Sequence, residues 1–85
     1  MTPHEIYRIK EALKVLEYAG PQGVGRDALL GQTEIATGQI LTSSEKDRLL
    51  ETLTEKQWAY SFRDPLSGNI RYVLTGPGTL ARNAL

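Results

Sequence analysis

Seven polar and basic side chains have the chemistry to bind phosphate groups and base edges, and they fall in two short stretches. They are Ser43, Ser44, Lys46 and Arg48 in the first stretch, and Arg63, Asn69 and Arg71 in the second. Lysine and arginine neutralise phosphates, serine hydroxyls donate hydrogen bonds to phosphate oxygens, and arginine pairs with guanine. These are the candidate nucleic-acid-binding residues of the chain.

The charge balance argues for a second interpretation of the same residues. The chain carries 10 basic and 10 acidic side chains, so its formal net charge is zero. Residues 42–57 have three bases against four acids, and residues 58–85 have three arginines against Asp64 alone. The first stretch is equally consistent with a solvated helix face held by local ion pairs. The two arginines of the second stretch could instead pair with Asp64 or protect a strand edge from aggregation.

Catalytic and metal-binding patterns are absent from the sequence. There is no cysteine and a single histidine, His4, which falls in the first turn of a predicted helix. The glycine-rich segment "GPQGVG" at residues 20–25 lacks the lysine and serine or threonine that end a phosphate-binding loop. The serines have no nearby base in sequence, and nothing resembles a nucleophile elbow. The sequence therefore predicts a protein that is not an enzyme and needs no cofactor or metal.

The elements that position the candidate residues begin with a predicted helix over residues 2–19. Thr2 is a suitable cap, Pro3 suits the first helical position, and Glu5 completes the pattern of a capping box. A buried stripe is predicted from the helical spacing of Ile6, Ile9, Leu13 and Leu16, with the charged residues, Arg8 among them, on the solvent side. Gly20-Pro21 ends the helix.

Two further helices follow. The segment from about 26 to 36 is predicted to present Leu29, Leu30 and Ile35 to a core, after a turn around Val24 with one brief extended residue. The helix over 43–57 begins with a second capping box, formed by Thr42 and Glu45. Its buried stripe is Leu49, Leu50 and Leu53. The first stretch of candidate residues thus lies in the opening turns of this third helix.

Residues 58–75 are predicted to form a β-hairpin. Trp58, Tyr60 and Phe62 alternate with smaller or polar residues, and so do Ile70, Tyr72 and Leu74 after the turn "DPLSGN". The large residues of both strands are expected on one face, which closes the helical core. Arg63 and Arg71 flank the turn and are expected near each other. Gly76-Pro77-Gly78 ends the strand, and residues 76–85 are expected to be a short tail with at most a frayed helical turn.

The order of elements predicts an α+β fold of the winged helix-turn-helix class, with three helices plus a C-terminal two-stranded hairpin as the wing. Eighty-five residues are enough for a single domain, residues 1–85. The N-terminus lacks the pattern of a signal peptide, and no apolar run reaches the ~20 residues of a membrane span. A cytoplasmic protein with no membrane contact is therefore expected.

From Leu53 to Gly78 the chain resembles the recognition helix and wing of MarR-like regulators. The matching features are Leu53 to Trp58, Asp64, Gly68, Arg71 and the ending Leu74-Thr75-Gly76 with Gly78. The upstream segment "ATGQILTSSEKDRLLETL" is similar to small winged-helix proteins of Mu-like phages. Gln57 departs from the pattern, which has a glycine before the strand. The MarR-type dimerisation helices and doubly basic wing tip are also missing.

The resemblance implies a transcription-regulating module of phage or mobile-element origin. It implies that the third helix enters the major groove of double-stranded DNA and that the wing lies beside the backbone. The alternative left open by the residues is a winged-helix domain that binds protein instead of nucleic acid. Tyrosines are common at interfaces, and the candidates for such contacts are Tyr7, Tyr18, Tyr60 and Tyr72. The third partner consistent with the sequence is a second copy of the chain, in a weak homodimer.

Overall fold

A computed structural model describes all 85 residues and has an α+β architecture, as predicted. The elements in chain order are α1 (Pro3–Ala19), a 3-10 turn (Gly20–Gln22), β1 (Val24–Gly25), α2 (Arg26–Thr37), α3 (Ser43–Glu55), β2 (Ala59–Arg63), β3 (Ile70–Leu74) and α4 (Gly76–Ala84). The structure thus has four helices and a three-stranded sheet where three helices and a two-stranded hairpin were predicted.

The sheet is antiparallel with the strand order β1-β3-β2. β1 is only two residues long, and it pairs Val24 with Tyr72 and Gly25 with Arg71. The brief extended residue expected at Val24 is therefore a true strand, and it makes β3 the central strand. β2 is hydrogen-bonded on one side only.

The core lies between the helices and one face of the sheet. Its buried apolar residues are Ile9, Ala12, Leu13, Leu16, Leu29, Leu30, Leu41, Leu49, Leu50, Leu53, Ala59 and Tyr72. The leucine stripe predicted for α3 is confirmed in full. The stripe predicted for α1 is confirmed except at Ile6, which is 37% exposed, and Ile35 of α2 is 78% exposed instead of facing the core.

Both predicted helix caps are present. The Thr2 side chain accepts a hydrogen bond from the Glu5 N–H at the start of α1. At the start of α3 the capping box is reciprocal, with Thr42 Oγ1 accepting from the Glu45 N–H at 3.2 Å and Glu45 Oε1 accepting from the Thr42 N–H at 2.9 Å. These bonds satisfy backbone donors that the helices leave unpaired, and they set where α1 and α3 begin.

The prediction that the large hairpin residues share one face is wrong. The register pairs Ser61 with Tyr72 and Tyr60 with Val73. Residues paired across two strands lie on the same face, so Tyr60 and Phe62 lie on the opposite face from Tyr72. The side facing the core carries the buried Ala59 and Tyr72. The six-residue turn from Asp64 to Asn69 sets this register, because Arg63 and Ile70 are its closing pair.

The predicted short tail is a helix. The Thr75 side chain caps α4 by accepting from the Gly78 N–H at 3.0 Å, and Pro77 occupies its first turn, where a missing N–H costs nothing. α4 packs on α1, where Ala81 contacts the core and Arg82 Nε lies 3.0 Å from Glu17 Oε2. The strand ends before Gly76 as predicted, but the glycines and proline that follow also begin a helix.

None of the helices combines the length and the apolar composition needed to cross a lipid bilayer.

Candidate nucleic-acid interface

The exposed side of α3 is entirely polar. Six side chains without an apolar member line it, namely Ser44, Asp47, Arg48, Glu51, Thr52 and Glu55. Ser43 is also exposed, in the first turn of the helix, and Lys46 is half-buried. The six lining residues carry three acids against one base, so the face can present hydrogen-bonding groups to a partner but does not attract phosphate strongly.

Arg48 is the principal cation of this face. Its side chain is 70% exposed, and its Nε lies 3.3 Å from Glu5 Oε2 at the start of α1. An exposed ion pair of this kind contributes at most about 1 kcal/mol to stability. So weak a contact leaves the Arg48 guanidinium largely exposed to solvent.

Arg26 joins this surface although it was not among the predicted residues. It is the first residue of α2, and its Nη2 lies 3.3 Å from Asp47 Oδ1 on α3. The side chain is exposed at the edge between the two helices. The signal for it in the sequence is a base at the first position of the helix that precedes α3.

Arg71 is engaged in the fold. Its Nε donates to the Gln22 carbonyl at 3.0 Å and its Nη2 to the Gly23 carbonyl at 2.9 Å, while its Nη1 lies 4.0 Å from Asp64 Oδ2. The Arg71 guanidinium thus links the 3-10 turn to the central strand, β3. Because these bonds hold the guanidinium against the backbone, Arg71 is poorly placed to contact a nucleic acid.

Arg63 and Asn69 remain at the turn of the hairpin, and both are exposed. Arg63 Nη1 donates to the Gly68 carbonyl at 2.6 Å across the turn. The register pairs Arg63 with Ile70 and Arg71 with Phe62. The two arginines, which were expected near each other, therefore lie on opposite faces of the hairpin.

Arg8 was expected on the solvent side of α1, and this prediction is wrong. It is buried, because it reaches across to the connection between α2 and α3. Its Nε and Nη2 donate to Gln39 Oε1 at 3.2 and 3.1 Å, and Nη2 also lies 3.2 Å from Glu45 Oε2. This contact fixes the N-terminal end of α3 relative to α1.

Two carboxyl groups near the candidate surface have lowered pKa values. The backbone N–H of Thr42, followed by the Thr42 hydroxyl and then Arg8, lowers the pKa of Glu45. The backbone N–H of Leu66 is the main cause that lowers the pKa of Asp64, with Ser67 and Arg71 contributing less. Hydrogen bonds to a carboxylate favour its charged form. Glu45 is therefore ionised at neutral pH, and Arg8 balances its charge at the start of α3.

Of the four tyrosines, Tyr72 is buried in the core and the other three are exposed. No group of three or more histidine, cysteine, aspartate or glutamate side chains is arranged to hold a metal ion. The single histidine, His4, is exposed in the first turn of α1.

Comparison of the chain with protein-family models, with curated proteins and with solved structures finds no match.

Proposed function

We propose that this chain is a winged-helix domain that binds duplex DNA and serves as a transcription-regulating module. The observation that carries the proposal is the combination of topology with the exposed side of α3. The order helix, strand, helix, helix, strand, strand with sheet order β1-β3-β2 supports the winged-helix assignment. It leaves α3 with an apolar side in the core and a wholly polar side outward.

In this mode α3 lies in the major groove with its N-terminal turns nearest the bases. Ser43 and Ser44 donate to phosphate oxygens, and Arg48 reaches a phosphate or a guanine. Arg26 contacts the backbone from the start of α2. The turn at residues 64–69 lies along the neighbouring strand of the duplex and brings Arg63 and Asn69 to it. Lys46 adds positive charge at the edge.

The expected affinity is low and strongly dependent on salt. Arg26, Arg48 and Arg63 are exposed arginines that must exchange their surface contacts to reach phosphates, and Asp47, Glu51 and Glu55 on α3 oppose them. Each phosphate neutralised adds about −0.9 to the slope of log K against log salt concentration. The slope is therefore small compared with that of strongly basic DNA-binding domains.

An NMR titration of the labelled protein with a random duplex at low and at moderate salt tests the proposal. We expect the amide resonances of residues 43–48 and 63–69 to shift, and the shifts to shrink as salt is added, because phosphate contacts are screened. Unchanged spectra at low salt would rule out DNA binding by this chain.

Variants that each change one charge identify the surface that contacts DNA. Glu51→Gln removes an acid from the outer side of α3 and should tighten binding about twofold to fivefold, as expected for a surface charge interaction of about 0.5–1 kcal/mol. Arg48→Ala should weaken binding and reduce the salt slope by about 1. Glu17→Gln, on α1 beside α4, is the matched control and should leave binding unchanged. Equal effects of the two glutamate variants would show that α3 is not the contact.

The alternative function, binding of a protein segment, is supported by the free edge of β2. This strand has a partner on one side only, and Tyr60 is 52% exposed with its ring centroid 6.4 Å from that of Phe62. A peptide that adds a strand to such an edge uses the unpaired backbone groups and contacts alternate side chains. Titration with alternating Val/Thr peptides should then shift the amides of residues 59–63 selectively. Absence of these shifts would contradict this alternative.

A further inference from the structure

The outer face of α1 carries a regular pattern that the DNA-binding proposal does not use. Tyr7, Glu11, Lys14 and Tyr18 follow one another at intervals of four, three and four residues. Intervals of four and three are those of a coiled-coil seam, in which alternate positions face a second helix. We call these four residues the α1 seam.

The α1 seam borders a groove between α1 and α2. The groove has a volume of about 390 Å³, and Val15, Ala19 and Ala28 are among its lining residues. α2 runs antiparallel to α1, with the Tyr7 hydroxyl donating to the Ala36 carbonyl at 3.3 Å. Ile35 lies one residue before this contact. Tyr18 lines this groove, whereas Tyr7 and Ile35 lie outside it, toward the start of α1 and the end of α2.

Large apolar side chains on this face are exposed. Tyr18 is 95% exposed, Ile35 78% and Tyr7 43%. Burying such side chains against a partner is favourable because it removes apolar surface from water. A charged pair lies between the two tyrosines along α1, with Lys14 Nζ 3.3 Å from Glu11 Oε1; the Lys14 side chain is 42% exposed and that of Glu11 15%.

A two-fold rotation brings each charge of the α1 seam opposite a charge of the other sign, and each tyrosine opposite a tyrosine. When a second copy of α1 lies antiparallel with the axis between Glu11 and Lys14, each Glu11 faces the Lys14 of the other copy. The same operation places each Tyr18 over the Tyr7 of the other copy, beside its Ile35. A two-fold interface brings the same patch of both subunits together, so this self-complementarity is what a dimer requires.

We propose that the α1 seam binds a second copy of this chain, forming an antiparallel two-fold dimer. The four charges of the two copies then alternate in sign around the axis, and the tyrosines cover the apolar ends. The contact is confined to one helix face and the adjacent edge of α2, which places it at the small end of specific interfaces, below about 1,200 Å². The dimer is therefore weak, and it forms with or without DNA.

Sedimentation of the wild-type chain and of two charge reversals tests the proposal, at concentrations from about 10 μM to about 1 mM. Glu11→Lys gives a seam with two positive charges, and Lys14→Glu gives one with two negative charges. Each variant alone should associate at least about tenfold more weakly than the wild type, because like charges then meet at the axis. An equimolar mixture of the two variants should associate again.

The mixture of the two variants distinguishes an effect on contacts between chains from an effect on contacts within one chain. Both reversals remove the pair that Glu11 and Lys14 form within one chain, and mixing cannot restore that pair. Recovery of association therefore requires that the two seams meet. Glu55→Lys is the matched control, since it makes the same charge change on α3, away from the seam, and should leave association unchanged. Tyr18→Ser should also weaken association, with the melting temperature recorded to show that the variant is folded.

Three outcomes would overturn the proposal. One is a wild-type chain that remains monomeric at about 1 mM. Another is a wild-type dimer that both charge reversals leave intact. The third is a mixture of the two variants that stays monomeric.

Discussion

Gln57, at the junction between α3 and β2, has a backbone conformation that residues other than glycine rarely adopt. Its φ is +60°, and it is the only non-glycine residue of the chain with a positive φ. Its N–H donates to the Thr54 carbonyl at 3.1 Å, and its carbonyl accepts from Thr75 Oγ1 at 2.5 Å. The side chain itself is exposed. The left-handed conformation costs a residue with a Cβ about 1–2 kcal/mol, and it ends α3 so that the chain can enter β2.

Replacement Gln57→Gly should therefore stabilise the protein. We expect the free energy of unfolding to rise by about 1 kcal/mol, because the backbone bonds are kept and the steric cost is removed. For a domain of this size that corresponds to a rise of roughly 4–8 °C in the melting temperature. Calorimetry measures it directly. Glu55→Gly, two residues earlier in the last turn of α3, is the control and should lower stability by about 1 kcal/mol. A destabilised Gln57→Gly variant would contradict the steric argument.

At the scale of elements, α4 depends on a close approach of its first turn to the hairpin. Gly78 is buried, and a Cβ built on it would overlap the Trp58 carbonyl oxygen and lie 2.7 Å from Leu74 Cδ1. The backbone of α4 can therefore lie against the start of β2 only with glycine at this position. The same contact brings Ala81 against the core.

Opposite effects are expected from the same substitution at two helical glycines. Gly78→Ala should lower the free energy of unfolding by about 1–3 kcal/mol, the usual cost of overpacking. Gly31→Ala, in the middle of α2 with no atom within 4 Å of the added Cβ, should raise it by up to about 1 kcal/mol through helix propensity. Denaturant titration of both variants is the measurement. Equal effects at the two positions would show that α4 does not dock as described.

At the scale of the whole molecule, two ionised carboxylates stabilise contacts within and between the elements. Glu45 caps α3 and contacts Arg8 of α1, and Asp64 accepts from the Leu66 N–H in the hairpin turn. The pKa of each carboxyl is lower in the folded protein than its usual value of about 4. The unfolded chain therefore takes up protons first as the pH falls. The stability contributed by the two groups is present above about pH 4 and is lost as the pH falls through their lower, folded-state pKa values.

The melting temperature should therefore decrease on acidification below about pH 4–5. Glu45→Gln should have a lower melting temperature than the wild type at neutral pH and a smaller decrease at acid pH, because its share of the linkage is gone. Asp64→Asn should do the same independently, and the double variant should show the flattest profile. Thermal unfolding across this pH range is the measurement. Profiles parallel to the wild type in all three variants would contradict the assignment.

The sequence by itself determined the elements whose signals are local. The caps at Thr2 and Thr42 act on N–H groups three residues away, and the leucines of α3 repeat within one or two turns. The turn at residues 64–69 and the end of α1 at Gly20 follow from the conformations that proline and glycine favour. Such features need no other part of the chain, and for this reason the predicted helices and hairpin are where they were expected.

Only the tertiary structure decided which side chains are free. Arg71 is bound to carbonyls 48 and 49 residues away, and Arg8 reaches Gln39 and Glu45 at separations of 31 and 37 residues. The face that the hairpin turns to the core depended on a register set by the length of its turn, and α4 depended on a glycine that lies against Trp58. Contacts of this kind depend on how distant segments meet in space, which the spacing of residues along the chain does not specify.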